Sequence, residues 1–222
     1  GKKEREESFE PILKELSRLL PIADAKMAYT HNVVLPGCGL GRLGVEISRL
    51  GYNCEINEFS VFMLLTLHYM VNGGIPAEHH RLCPWLGARS NVVTLNDNLL
   101  DCRVPDIPCM ALLNSGPYID SYVPPTDEEV MSRKRVPNFS MRAGDFVDIY
   151  GQAEHANAWH AVVTCWFIDA VPNVVDLIHV IHGMLAPGGC WINMGPLLYH
   201  WVVDAYKNND PRYRSSIALP WE

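Results

Sequence analysis

Short-range cysteine pairing is missing from this 222-residue sequence. Its seven cysteines (38, 54, 83, 102, 109, 165 and 190) are odd in number and widely scattered, and none forms Cys-x-x-Cys. That pattern argues against a disulfide framework or a zinc ribbon and for a reducing, intracellular setting. An excess of positive charge is missing too. Eighteen Lys and Arg stand against 25 Asp and Glu, a formal net charge of −7, which disfavours a nucleic-acid binder. No apolar run reaches the length of a membrane span, so no membrane partner is expected. The opening Gly1-Lys-Lys-Glu-Arg-Glu-Glu7 mixes both signs, the opposite of a secretory start. There is no Gly-Lys-Ser/Thr, which excludes a P-loop, and there are no repeats or low-complexity tracts.

What is present is a core-forming composition, 48% hydrophobic, in a length suited to one domain over 1–222. Apolar residues recur at three- and four-residue steps from Ser8 to Leu20, predicting a helix. Asn32-Val-Val-Leu35 reads as a buried strand, Leu40 to Leu50 as a helix stopped by Gly51, Tyr52 to Asn57 as a second strand, and Ser60 to Val71 as a third helix. Strands alternating with helices predict a parallel sheet with crossover helices. Residues 84–137 break the pattern, holding seven of the sixteen prolines with no sustained period. They read as an insertion within the domain, a lid over the substrate mouth. Alternation then resumes with a strand over 161–168, a helix from Asn173 to Leu185 ended by Pro187-Gly188-Gly189, and a strand over 190–193.

Pro36-Gly-Cys-Gly-Leu-Gly-Arg42 lies between a predicted strand and a predicted helix. Gly37, Gly39 and Gly41 let backbone approach a ligand where a Cβ would clash, and the helix start offers free N–H groups. Seventeen residues on, Glu58 ends the next predicted strand, where a carboxylate can accept hydrogen bonds from both hydroxyls of an adenosine ribose. Alone, Glu58 would be a solvated loop carboxylate; beside the glycine turn it favours a nucleotide. G-x-G-x-G departs from the G-x-G-x-x-G of dinucleotide binders, and Gly44 leaves that alternative, a nicotinamide-dependent oxidoreductase, in play.

G-x-G-x-G opening such a fold resembles the S-adenosylmethionine-dependent methyltransferases, with their Rossmann-like seven-stranded sheet and helices on both faces. Leu185-Ala-Pro-Gly-Gly189 matches the turn that precedes their fifth strand. The resemblance narrows through Leu35-Pro-Gly-Cys-Gly-Leu-Gly-Arg-Leu43, Asn57-Glu-Phe-Ser60, Asn138-Phe-Ser-Met-Arg-Ala-Gly-Asp-Phe146, Phe167-Ile-Asp169 and Trp191-Ile-Asn-Met-Gly-Pro-Leu-Leu-Tyr-His200. Together these blocks, from about residue 31 to 201, resemble the carnosine N-methyltransferase family. The resemblance implies methylation of the imidazole of carnosine, β-alanyl-histidine, to anserine, with Gly37, Glu58, Asp145 and Phe146 lining the S-adenosylmethionine site. It implies Asp169 and His200 as catalytic and dipeptide contacts, with Tyr199 beside them, and no metal. A homodimer and a cytoplasmic, also nuclear, location are expected. The family's further upstream helices, which bring a Gln and an Arg to the cofactor, and its last two strands have no counterpart here, so a fragment truncated at both ends is expected. Alternatives are an adenosyl-binding module without turnover and another small-molecule methyltransferase.

Other candidates have structural readings. Asp145-Phe146 suits an adenine edge and face, or equally a helix cap and a core ring. His79-His80 and His179-x-x-His182 lack a third ligand and read as helix-surface histidines. Cys165 reads as a buried thiol, and Trp166 and Phe167 as core. The chemistry expected of Asp169, at the carboxyl end of the fourth strand, is to accept a hydrogen bond from the non-attacking ring N–H, fixing the tautomer and stabilising the developing cation. His200 would orient the ring or relay a proton.

Overall fold

The structure, a computed structural model, describes residues 2–23, 27–87, 93–114, 139–199, 211 and 216. The order is α1 (Lys2–Leu19), β1 (Asn32–Pro36), α2 (Arg42–Arg49), β2 (Asn53–Glu58), α3 (Val61–Asn72), β3 (His80–Leu82), β4 (Cys102–Val104), α4 (Cys109–Asn114), β5 (Phe139–Ala143), α5 (Phe146–Tyr150), β6 (Trp159–Cys165), α6 (Val174–Met184) and β7 (Leu185–Met194). Among the described residues five strands form one sheet in the order β5-β2-β1-β6-β7, and every pairing in it is parallel. The strand order reverses between β1 and β6, which is where an open α/β sheet binds ligands beyond its carboxyl ends.

Strand alternation divides the core into two layers. Val33 and Leu35 of β1, with Ala161 and Val163 of β6, pack against Ile12 and Leu16 of α1 and Leu43 and Ile47 of α2. Val34 and Val162 point the other way, onto Phe146 and Tyr150 of α5 and Leu177 and Ile181 of α6. Burying each such aliphatic side chain is worth about 1.5–3 kcal/mol, so β1 and β6 are fixed from both faces.

The predicted central elements are present, with boundary shifts of physical origin. Helix α1 begins well before Ser8, because charged residues upstream of the apolar stripe pair along the helix, Lys3 with Glu7 at 3.8 Å, as Lys14 does with Glu10 at 2.7 Å. Strand β6 ends at Cys165, not Ile168, because Trp166 turns to φ 57°. Pro187-Gly188-Gly189 forms a looped-out irregularity inside β7. Leu185 pairs with Trp159, Cys190 resumes with Ala161, and a Cβ on Gly189 would lie 2.8 Å from the Ala186 carbonyl oxygen.

Of residues 84–137, the described part forms β4, which pairs antiparallel with β3, and α4, which packs beside α2. Arg42 at the start of α2 and Arg5 of α1 both donate to Asp106, each at 2.6 Å, tying this segment to the core. Residues 88–92 and 115–138, where the rest of the expected lid falls, lie outside the described residues. Among the described residues no helix is long and apolar enough to cross a membrane.

Candidate functional site

Strand β1 runs directly into the glycine turn. Gly37, Gly39 and Gly41 have φ of 60°, 55° and 75°, left-handed values that an L side chain adopts at a cost. A Cβ on Gly37 would collide with the Phe167 ring, whereas one on Gly39 would meet nothing within 4 Å, so open space faces the middle of the turn. The turn is pinned by the Cys38 N–H donating to the Asn57 carbonyl (3.0 Å) and the Gly41 N–H to the Cys38 carbonyl (2.9 Å). Gly41 begins α2 without a side-chain cap, so no side chain competes for the positive end of the helix.

Glu58, at the end of β2, reaches back to this turn. One carboxylate oxygen accepts the Gly39 N–H at 2.9 Å; the other accepts the Phe59 and Ser60 N–H groups, each at 2.9 Å. The sequence brought Glu58 and the turn together by spacing alone, and the fold joins them by a hydrogen bond. Burial, reinforced by the Glu58 charge, pushes the Cys38 thiol up to about 12, so it is unreactive.

Asp145 caps α5, accepting from the Val147 and Asp148 N–H groups at 2.9 and 3.3 Å. Phe146 is buried, its ring tilted against Tyr150 and edge-on to Phe167. The cap and the core ring are both present, and the pair also borders a cleft. That cleft, of about 230 Å³, is lined by Gly37, Glu58, Asp145, Phe146 and Phe167, and closed by Ala170 to Asn173 and Asp176 on the far side. Asn57 also lines it; buried, it donates to the Arg142 and Gly144 carbonyls at 3.1 and 3.0 Å and so fixes β5 and the Asp145 loop against β2. Sequence reasoning missed Asn57 as a site residue, although a polar side chain closing an apolar strand was the available signal.

Asp169 lies in the turn after β6, 2% exposed, and accepts the Leu198 N–H at 2.8 Å. It stands just before the residues that close the cleft and holds the chain that follows β7. Tyr199, next to Leu198, is also buried, packed in the layer that contains Phe146, Ile168 and Val174. Gly39, Gly41, Asp169 and Tyr199 adjoin the cleft's elements but are not in its wall, and His200 lies outside the described residues.

Three structural readings change. Trp166 is not core but 61% exposed, and Phe167 is half-buried in the cleft wall. His80 is in strand β3 beside Tyr69, whose hydroxyl lies 3.2 Å from its Nε2, and not on a helix; His179 and His182 are exposed on α6. Burial pushes the Cys165 thiol up to about 11, as an inert thiol requires. Among the described residues, no group of three or more His, Cys, Asp or Glu is placed to hold a metal ion.

The family model for carnosine N-methyltransferase matches residues 1–222. The chain belongs to the carnosine N-methyltransferase family. It is similar to the carnosine N-methyltransferase of Schizosaccharomyces pombe, 36% identical over 93% of this chain and 50% of that protein. The Mus musculus carnosine N-methyltransferase is 38% identical over 90% of this chain and 44% of that protein. Carnosine N-methyltransferase unmet of Drosophila melanogaster is 36% identical over 90% of this chain and 39% of that protein. The chain thus spans about half the length, or less, of the curated relatives it matches. Among solved structures, the glycopeptide N-methyltransferase MtfA complexed with sinefungin is similar with a TM-score of 0.45, at 14% identity over 84% of this chain and 53% of that one.

Proposed function

We propose that this chain carries an S-adenosylmethionine-dependent N-methyltransferase activity on the imidazole of carnosine, giving anserine, or on related histidine-containing peptides. The observation that carries the reading is Glu58, whose carboxylate ends β2 and is bonded to the centre of the glycine turn. An adenosyl group fits there on two counts. The turn leaves space where a Gly39 side chain would stand, and Glu58 keeps acceptor capacity facing it for ribose hydroxyls. Asp145 and Phe146 would flank the adenine, and Gly37 and Gly41 would let backbone come close.

When bound, the sulfonium supplies an activated methyl group, so the transfer needs no metal. The protein's work is alignment and exclusion of water. Asp169 would accept a hydrogen bond from the N–H of the ring nitrogen that does not attack, leaving the other nitrogen with its lone pair. The same carboxylate would stabilise the positive charge that the ring acquires. His200, and Tyr199 behind it, would hold the dipeptide. Residues 84–137 would cover the mouth as an insertion of the single domain. A homodimer in the cytoplasm, and also the nucleus, completes the reading; the seven free thiols support a reducing compartment.

Mass spectrometry of carnosine and other histidine peptides incubated with the protein and methyl-labelled S-adenosylmethionine tests the activity. A single labelled methyl on the imidazole supports the proposal. Binding of S-adenosylhomocysteine with no transfer to any ring would favour an adenosyl-binding module instead, and protection by NAD alone would favour an oxidoreductase.

A further inference from the structure

Glu55 is a carboxylate that the cleft does not use. It stands on β2 three residues before Glu58, its side chain is only 14% exposed, and it is not in the cleft wall. Its partners nevertheless lie on both sides of the loop that forms one wall. Before the loop, Arg142 of β5 donates to the carboxylate from Nε and a terminal nitrogen, at 2.9 and 3.3 Å. After it, the Tyr150 hydroxyl at the end of α5 donates to the same group at 2.6 Å. Gly144, Asp145 and Phe146, between the two partners, line the cleft.

The two arms bear on different parts of that wall. Register sets Glu55 beside Ser140 and Asn57 beside Arg142, so these side chains share one face of the sheet. Strand β5 is at the edge of the sheet, with one set of ladder bonds, and the Arg142 arm fixes where it delivers Gly144. The Tyr150 arm fixes a ring. Phe146 lies four residues earlier on α5, its ring 4.7 Å from that of Tyr150 and edge-on to Phe167 across the cleft wall. Burial, and then the bond to Glu55, push the Tyr150 hydroxyl well above its ordinary range, so it remains a donor. Anchoring an edge strand would need Arg142 alone, and the tyrosine arm is left without a purpose on that account.

We propose that Glu55 is a positioning residue for the adenine side of the adenosyl site, an inference that rests on the S-adenosylmethionine reading. It touches no ligand and acts through Arg142 on the Asp145 loop and through Tyr150 on the Phe146 ring. One strand would then carry both the ribose acceptor, Glu58, and the anchor that sets the base wall relative to it.

Three variants test this by calorimetry with S-adenosylhomocysteine. Glu55→Ala removes both arms; Glu55→Gln keeps an acceptor for Tyr150 and gives up the Arg142 ion pair; Tyr150→Phe removes only the hydroxyl. Affinity should fall about tenfold in the first and about threefold in each of the others. With carnosine and labelled cofactor, the cofactor KM should rise in step, while kcat and the carnosine KM stay within about twofold. A residue that only stabilised the sheet would lower the melting midpoint, and with it the active fraction and kcat, at parental cofactor KM. That pattern overturns the proposal. Parental affinity in a folded Glu55→Ala protein overturns it too, as does parental affinity in both milder variants should the alanine protein not fold. A parent that does not bind S-adenosylhomocysteine overturns the adenosyl reading itself, and the positioning role falls with it.

Discussion

Glu58→Ala should weaken S-adenosylhomocysteine binding by roughly 30- to 800-fold, with the fold intact. The figure comes from the bonds that the carboxylate makes. One oxygen already accepts two N–H groups, from Phe59 and Ser60, while the other accepts only the Gly39 N–H. A carboxylate has about four lone-pair sites, so one full site remains, on the oxygen facing the glycine turn. A charge-assisted hydrogen bond from a ribose hydroxyl to that site is worth about 1.5–3 kcal/mol, and the lost Gly39 tether adds about 0.5–1 kcal/mol by loosening the turn. Together these give about 2–4 kcal/mol, which is the fold-change stated. The fold should persist because Phe59 is 72% exposed, and the released N–H groups beside it can hydrogen-bond to water. Titration calorimetry measures the affinity and circular dichroism the melting midpoint. Unchanged affinity would refute the ribose assignment. A collapse of the melting midpoint would refute the claim that Glu58 serves the ligand more than the fold.

Asp169→Asn should keep the Leu198 N–H bond through its amide oxygen but lower turnover by roughly 100-fold, as for other positioned polar groups; loss of cofactor affinity in place of turnover would move Asp169 into the adenosyl site. Asp106→Asn removes the charge shared by Arg5 and Arg42, both partly buried; a loss of about 1–2 kcal/mol should lower the melting midpoint by roughly 2–4 °C per kcal/mol, and an unmoved midpoint would mean that segment docks without the ion pairs. Burial, and then neighbouring His160, hold His31 below its ordinary 6.5. The unfolded chain therefore takes up that proton more readily, so the contribution is intact above about pH 6.5 and is lost as pH falls below it; midpoints measured between pH 7.5 and 5.5 should fall less steeply in His31→Gln, and parallel slopes would dismiss His31 as the cause.

The central elements β1, α2, β2, α3, β6 and α6 were legible because both faces of the inner strands are buried, which writes continuous apolar runs between glycine stops. Strand β5 was not. It lies at the sheet edge with Ser140, Met141 and Ala143 exposed, and pairs with β2 through backbone bonds that leave no apolar signature. Its side-chain anchor is the ion pair of Arg142 with Glu55 (2.9 Å), a carboxylate that also accepts the Tyr150 hydroxyl at 2.6 Å, joining residues nearly a hundred positions apart. The β3–β4 pair was hidden for a related reason, since three-residue strands are too short to show a period. The end of β6 was misjudged because an apolar Trp-Phe-Ile run reads as more strand, and only the fold reveals that Trp166 turns out of it.

In the candidate site, sequence reasoning set a ligand role against a helix cap for Asp145 and against a solvated loop carboxylate for Glu58, and the fold gives these two and Asp169 an anchoring role. Each carboxylate accepts backbone N–H groups of the loop beside the cleft: Glu58 from the glycine turn and the approach to α3, Asp145 from the first turn of α5, Asp169 from the chain after β7. A carboxylate anchored in this way is held in place together with its loop, so under the proposed function it would need little reorganisation on binding. Truncation to alanine therefore removes an anchor and a contact at once, and its effect on affinity overstates the contact. An amide separates the two at Asp145, where one oxygen accepts both N–H groups of α5, because the amide keeps that acceptor and gives up the charge. If Asp145→Asn retains the parental melting midpoint but loses affinity, the charge acts on the ligand. If midpoint and affinity fall together, Asp145 matters through the loop it holds.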